Sequence, residues 1–331
     1  MMTQATVADF RKTADQIRNW GRWGDDDQLG TLNFITADAV AAAATLARRG
    51  KVFSLGVNFD SNGPQGTTAP FRTNPIHLMT IDGGDAAAFA SHVRGWDHAV
   101  AAGLGTMFDN GLMRFNDDYI VMPLQAATQW DALSHVYYED QLYNGYPAAS
   151  VTSFGATRLG IETTATKGIT GRGVLLDIAR ARGVPYVDLG QPITPEELEE
   201  TAARQGVELR SGDILLIRTG WWERFVETRD GTASASGLSW RCAQWLHTRE
   251  IAAVAADNVA VEGHDNEVEG VFLALHCLCL RDMGLMFGEL WNLAQLAADC
   301  ADDGVYEFLL VASPLKVTGG VGSPLNPVAL K

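Results

Sequence analysis

Four short, uninterrupted apolar runs punctuate the second half of the chain: VLLDI after Gly173, ILLIRTG after Asp213, IAAVAA after Glu250 and EFLLVA after Tyr306. Runs of this length, bounded by glycine or charge, predict strands buried on both faces. Helix signals fall between and around them. Thr36 precedes ADAVAAAATLARR, which closes at Gly50, and Thr194-Pro195-Glu196-Glu197 sets a capping pair and a first-turn proline ahead of a helix closing at Gly206. Leu238 to Arg249 and Glu289 to Cys300 also show helical spacing of Leu, Trp and Ala. Helices alternating with buried strands predict an α/β protein. The first 120 residues are less regular. An irregular N-terminal arm is expected over about 1–60, and the loop Ser61 to Pro75 is expected to reach over a pocket or a neighbouring subunit. No repeat or linker divides the chain, so residues 1–331 read as one domain.

One stretch breaks the apolar pattern. Leu124 to His135 reads LQAATQWDALSH. In an extended segment alternate side chains share a face, which would gather Gln125, Gln129, Asp131 and His135 on one side. Composition narrows what such a cluster serves. With 47% apolar and 20% charged residues a sizeable core is available, and a net charge of -15 argues against nucleic acid or an anionic membrane surface as partner. A small-molecule substrate is expected. No apolar run is long enough to span a bilayer, and the amphipathic N-terminus lacks a signal peptide's apolar core, so a cytoplasmic location is expected. Cys242, Cys277, Cys279 and Cys300 show no CxxC spacing, and Cys277-Leu-Cys279 alternates as two small residues of a buried segment would.

The stretch resembles the motif H-x-G-T-H-x-D-x-P-x-H of the cyclase family of metal-dependent hydrolases. Gln125 to His135 keeps its spacing, with Thr128, Asp131 and His135 matching outright. TGRGVLLD (Thr170 to Asp177), GDILLIRTGW (Gly212 to Trp221), LHCLCLRDMGLMFGELWNL (Leu275 to Leu293) and PLKVTGGVGSP (Pro314 to Pro324) also resemble family segments. The likeness runs from about Trp23 to the C-terminus. It implies a swivelling β/β/α fold with a mixed central sheet and flanking helices, a divalent metal ion, and a homodimer or homotetramer. It further implies hydrolysis of amides, cyclic amides or lactones, as in kynurenine formamidase, isatin hydrolase and trans-dienelactone hydrolase. In such members the first two motif histidines and the aspartate bind metal, the last histidine acts as acid and base, and a distant histidine and glutamate complete the site. Those roles fall here on Asp131, on His135, and on His276 with Glu289, whereas Gln125 and Gln129 replace the first two histidines.

Imidazole suits zinc, and carboxylate and amide oxygens suit harder ions. One ion is therefore expected, manganese first and zinc second, held by Asp131, Glu289 and His276 with Gln125 or Gln129 as further donors. His135 is the expected general acid and base. Trp130, Trp222 and Thr128 are expected to face the substrate, the tryptophans as a wall for a flat ring. Duller roles stand beside these. Gln125 and Gln129 suit buried amides that satisfy backbone groups, Asp131 suits a helix cap, His276 suits a core histidine, and Glu289 suits the first turn of ELWNLAQLA. His264 in VEGHDNE reads as a solvated loop, and His77, His92, His98 and His247 match no motif. The expected activity is opening of a small cyclic amide, imide or lactone, or cleavage of an aryl formamide. The alternatives are a metal-free cyclase or lyase using His135 and Asp131, and a binding protein whose lost histidines abolished chemistry.

Overall fold

Alternate residues of the first three apolar runs enter two separate cores, whereas the fourth corrects the expectation of burial on both faces: Phe308, Leu310 and Ala312 enter one core, and Glu307, Leu309 and Val311 are not buried. In the computed structural model, which describes residues 4–66, 69, 71–83, 115–231, 236–264 and 266–331, Val174 and Leu176 join one buried cluster, and Leu175 joins another. Leu215 and Ile217 alternate with Ile214 and Leu216 in the same way, as do Val254 and Ala256 with Ala253 and Ala255. A continuous apolar run therefore serves two faces at once.

The strands in chain order are β1 (Val52–Ser54), β2 (Ile76–Ile81), β3 (Asp117–Val121), β4 (Gln129–Asp131), β5 (Val151–Thr152), β6 (Gly155–Ala156) and β7 (Thr170–Asp177), then β8 (Ile214–Arg218), β9 (Ala253–Ala256), β10 (Met286–Glu289), β11 (Glu307–Val311), β12 (Gly322–Pro324) and β13 (Val328–Leu330). Among the described residues nine of them form one mixed sheet, ordered β1-β13-β11-β7-β8-β9-β10-β4-β12. The run β7 to β10 is parallel. β4 is antiparallel to both β10 and β12. Helices flank the sheet, so the α/β class with a mixed central sheet holds.

The helix at Pro195–Gln205 is capped as expected, with the Thr194 hydroxyl accepting from the Glu197 N–H and Gly206 closing it at φ 67°. The helix after Thr36 is shorter than its pattern and spans Ala37–Ala44. The arm expected to be irregular contains a helix at Val7–Ile17, capped by Thr6 and Asp9, that buries Phe10, Ala14 and Ile17. One further expectation is corrected. Glu289 ends strand β10, and the helix that follows begins only at Ala294. Cys277 and Cys279 lie in a π-helix at Cys277–Met283 that continues the helical turn Ala274–His276, with Cys279 buried and Cys277 partly buried. Among the described residues no helix is long and apolar enough to cross a membrane. His92 and His98 lie outside the described residues, as do positions 67, 68 and 70 of the loop after Ser61.

Register decides what β4 and β10 present. Glu289 lies opposite Gln129, and Gly288 opposite Trp130. A methyl group on Gly288 would stand 2.8 Å from the Trp291 indole nitrogen and 2.9 Å from both Ala255 and the Trp130 ring. Gly288→Ala is expected to destabilise the protein by about 1–3 kcal/mol through overpacking, read as a lower midpoint in urea unfolding.

Candidate metal centre

Phe287 belongs to the core on one face of the sheet, and Trp130 to the core on the other. Strand alternation then sends Gln129, Asp131 and Glu289 to the Phe287 face. The same face carries the 274–283 helical segment, whose Leu275 and Leu278 pack in that core and whose His276 meets the strand residues. One ligand atom from each of Asp131, His276 and Glu289 lies within 4.8 Å of the others, and all three residues are buried. His276 Nε2 stands 3.4 Å from Glu289 Oε1 and 4.0 Å from Asp131 Oδ2.

The one-face reading of Leu124 to His135 needs correction. Only Gln129–Asp131 is extended. A turn follows, in which the His135 N–H donates to the Ala132 carbonyl, and this turn brings His135 Nε2 to 3.7 Å from Asp131 Oδ1. Gln129 Nε2 donates to Glu289 Oε2 at 3.0 Å. Gln125 sits in the preceding turn with its buried Nε2 against Gly322, and among the described residues no hydrogen bond links it to Asp131, His276 or Glu289.

Two expected substrate contacts are corrected. Trp130 is fully buried, its indole N–H donates to the Ala312 carbonyl and its ring packs edge-on against Trp291, so it is a core residue. Thr128 is also fully buried. Its hydroxyl donates to the Leu290 carbonyl and accepts from the Val57 N–H, tying three segments around the site together. Trp222 is half-buried, packs against Phe225, and lines a cavity of about 260 Å³ with Val57, Asn58, Val226 and Asn292. His264 stacks on the exposed Phe272 ring.

Charge in this pocket is unbalanced. Burial pushes the Asp131 carboxyl up, His135 pulls it back, and the Glu289 charge pushes it up again. Burial works against Glu289 ionising too, but hydrogen bonding and attraction to His276 prevail and hold its carboxyl below the ordinary range. Burial disfavours a charged His276, yet Glu262 and Glu289 hold its proton, so its pKa is pushed up to about 10. Two contributors escaped the sequence reading. Arg72, in the loop after Ser61, lowers both Asp131 and Glu289 by its charge. Glu262 meets His276 Nδ1 at 2.6 Å.

Both Asp131 carboxylate oxygens and the Gln129 side-chain oxygen Oε1 are buried without a hydrogen-bond partner. Orphaned acceptors of this kind are costly unless something positive fills the gap between them. Three oxygens and one imidazole fit a divalent cation of the hard or borderline kind. Asp131, His276 and Glu289 would hold it, with Gln129 as a fourth donor.

Sheet order, register and this buried cluster define an α/β protein with a candidate metal site at the end of a parallel strand pair. The chain belongs to the cyclase family, whose model matches residues 53–263. A crystal structure described as a novel cyclase is 43% identical, with 96% of this chain and 99% of that chain covered at a TM-score of 0.84. Isatin hydrolase A from Labrenzia aggregata, solved with benzyl benzoate, is 18% identical over 88% of this chain and 97% of its own, at a TM-score of 0.57. Isatin hydrolase A from Ralstonia solanacearum is likewise 18% identical, over 89% and 97%, at 0.59. At that identity these two show a common fold. No curated protein sequence matches the chain significantly.

Thr128→Val leaves the Val57 N–H and the Leu290 carbonyl without their buried partner. It is expected to cost about 1–3 kcal/mol in chemical unfolding. His276 gives a pH signature in the ion-free protein. Its folded pKa of about 10 exceeds the ordinary 6.5, so its stabilising contribution is complete below about pH 6.5 and is lost as pH rises through about 10. The stability difference between wild type and His276→Gln, both ion-free, is expected to shrink across that window. Ion affinity is expected to rise over the same window, because a metal takes the neutral imidazole.

Proposed function

We propose that the protein is a metal-dependent hydrolase that opens a small cyclic amide, imide or lactone, with aryl formamides as the second substrate class. One observation carries the reading: the unpartnered oxygens of Asp131 converge with His276 and Glu289 beside a histidine that is not fully enclosed. Family membership and the fold shared with isatin hydrolases support it. Manganese is the first choice of ion and zinc the second, because oxygen donors outnumber nitrogen.

A divalent ion supplies polarisation of the scissile carbonyl and a more acidic water at neutral pH. The chain's own residues supply the rest. His135, with Nε2 directed toward Asp131 and its side chain about one-fifth exposed, takes the proton of the attacking water. As the carbon–nitrogen or carbon–oxygen bond breaks, the same imidazole returns that proton to the leaving atom. Asp131, with Oδ1 3.7 Å from His135 Nε2, favours the imidazolium that forms when the proton is taken. Trp222 and the cavity beside it offer a flat wall for a ring.

Protein purified without chelator is expected to carry or take up about one manganese or zinc per chain, and less than about 0.2 that resupply does not restore overturns the reading. Hydrolysis of isatin, a dienelactone, a γ-lactam and N-formylkynurenine is the matching assay. Asp131→Ala is expected to lose both ion and turnover. His135→Asn is expected to keep the ion while kcat falls by about 10²–10⁴.

A further inference from the structure

We propose that Glu262 is the positioning residue for His276, fixing the imidazole with Nδ1 protonated and Nε2 turned to Asp131 and Glu289. The inference rests on the ion-site reading. Glu262 is only 4% exposed, and among the described residues its three side-chain hydrogen bonds all go to the segment that carries His276. Its Oε1 accepts from the His276 backbone N–H at 2.7 Å and lies 2.6 Å from His276 Nδ1. Its Oε2 accepts from the Leu275 N–H at 3.0 Å. A ring nitrogen that donates to a carboxylate is unavailable as a ligand, which leaves Nε2 for the ion. The Phe287 ring, edge-on at 4.8 Å, packs against the imidazole and limits other orientations.

The backbone delivers Glu262 at a conformational cost. Ala260 and Val261 both adopt left-handed φ values, 79° and 55°, which for a β-branched residue is a genuine outlier. A neighbouring segment clamps this turn. Leu238 N–H donates to the Val261 carbonyl at 3.0 Å, Gly263 N–H to the Leu238 carbonyl at 3.3 Å, and Asn258 Nδ2 to the Ser236 carbonyl at 2.8 Å. Gly237 makes the approach possible, because a methyl group there would fall 2.2 Å from the Val261 carbonyl oxygen and 2.5 Å from the Glu262 carbonyl carbon. Left-handed Leu273 opens the His276 turn and left-handed Leu290 follows Glu289. Backbone strain therefore flanks all three segments.

The test measures Mn²⁺ and Zn²⁺ dissociation constants on the whole chain, together with thermal melts of the ion-free forms. In Glu262→Gln, one oxygen still accepts from Nδ1, but the amide NH₂ then faces the Leu275 N–H. Affinity is expected to fall about 10–100-fold. Gly237→Ala alters no ligand and no ligand partner, and is expected to weaken binding in the same direction, so it stands in if Glu262→Gln fails to fold. Folded variants that melt lower but bind within about twofold of wild type overturn the positioning role and leave the ion-site reading intact. A wild type that binds neither ion overturns that reading, and this inference with it.

Discussion

Buried negative charge without enough positive charge to balance it is the constraint from which the rest of the site follows. Asp131 and Glu289 share one pocket with His276, and Glu262 approaches the same imidazole from its other nitrogen. Removing a carboxylate from water costs several kcal/mol even after relaxation, and a second one nearby adds repulsion. One imidazolium and the field of Arg72 offset part of this. A divalent cation held by Asp131, Glu289 and His276 would offset the remainder, and would supply Lewis-acid chemistry where the bare residues leave an electrostatic liability.

The fold holds that arrangement by register. Glu289 and Gln129 face each other across antiparallel strands, and Gly288 allows Trp130, Trp291 and Ala255 to close the opposite face. The Thr128 hydroxyl joins the approach to β4, the residue after β10 and the loop at Val57. A one-residue slip of β4 would turn Asp131 into the other core and bring Trp130 into the pocket. The polar cluster and the apolar layer behind it are thus two faces of the same short strands.

The central strands were legible because burial on both faces leaves an unbroken apolar run, which few other structures produce. The motif spacing marked Asp131 and His135, and the distant resemblance marked His276 and Glu289. Their local settings were harder to read. The Leu, Trp and Ala after Glu289 have helical spacing, but Leu290 turns left-handed and delays the helix to Ala294. Trp130 sits inside the motif yet serves packing, since a strand residue next to a ligand points the opposite way, and Thr128, just before the strand, commits its hydroxyl to the backbone at Leu290 and Val57. Glu262 carries no spacing signal, because its tie to His276 is made only when two loops meet in space.

The π-helix at Cys277–Met283 carries a consequence of its own. Such a turn amounts to an α-helix that has accepted one additional residue, and each residue of an α-helix advances about 100° around the axis. Loss of a single residue from this stretch would rewind it and swing His276 about a quarter-turn off its bearing. Insertions and deletions here are therefore graver than most substitutions, because the bearing of the ring depends on the length of this segment more strictly than on its apolar lettering.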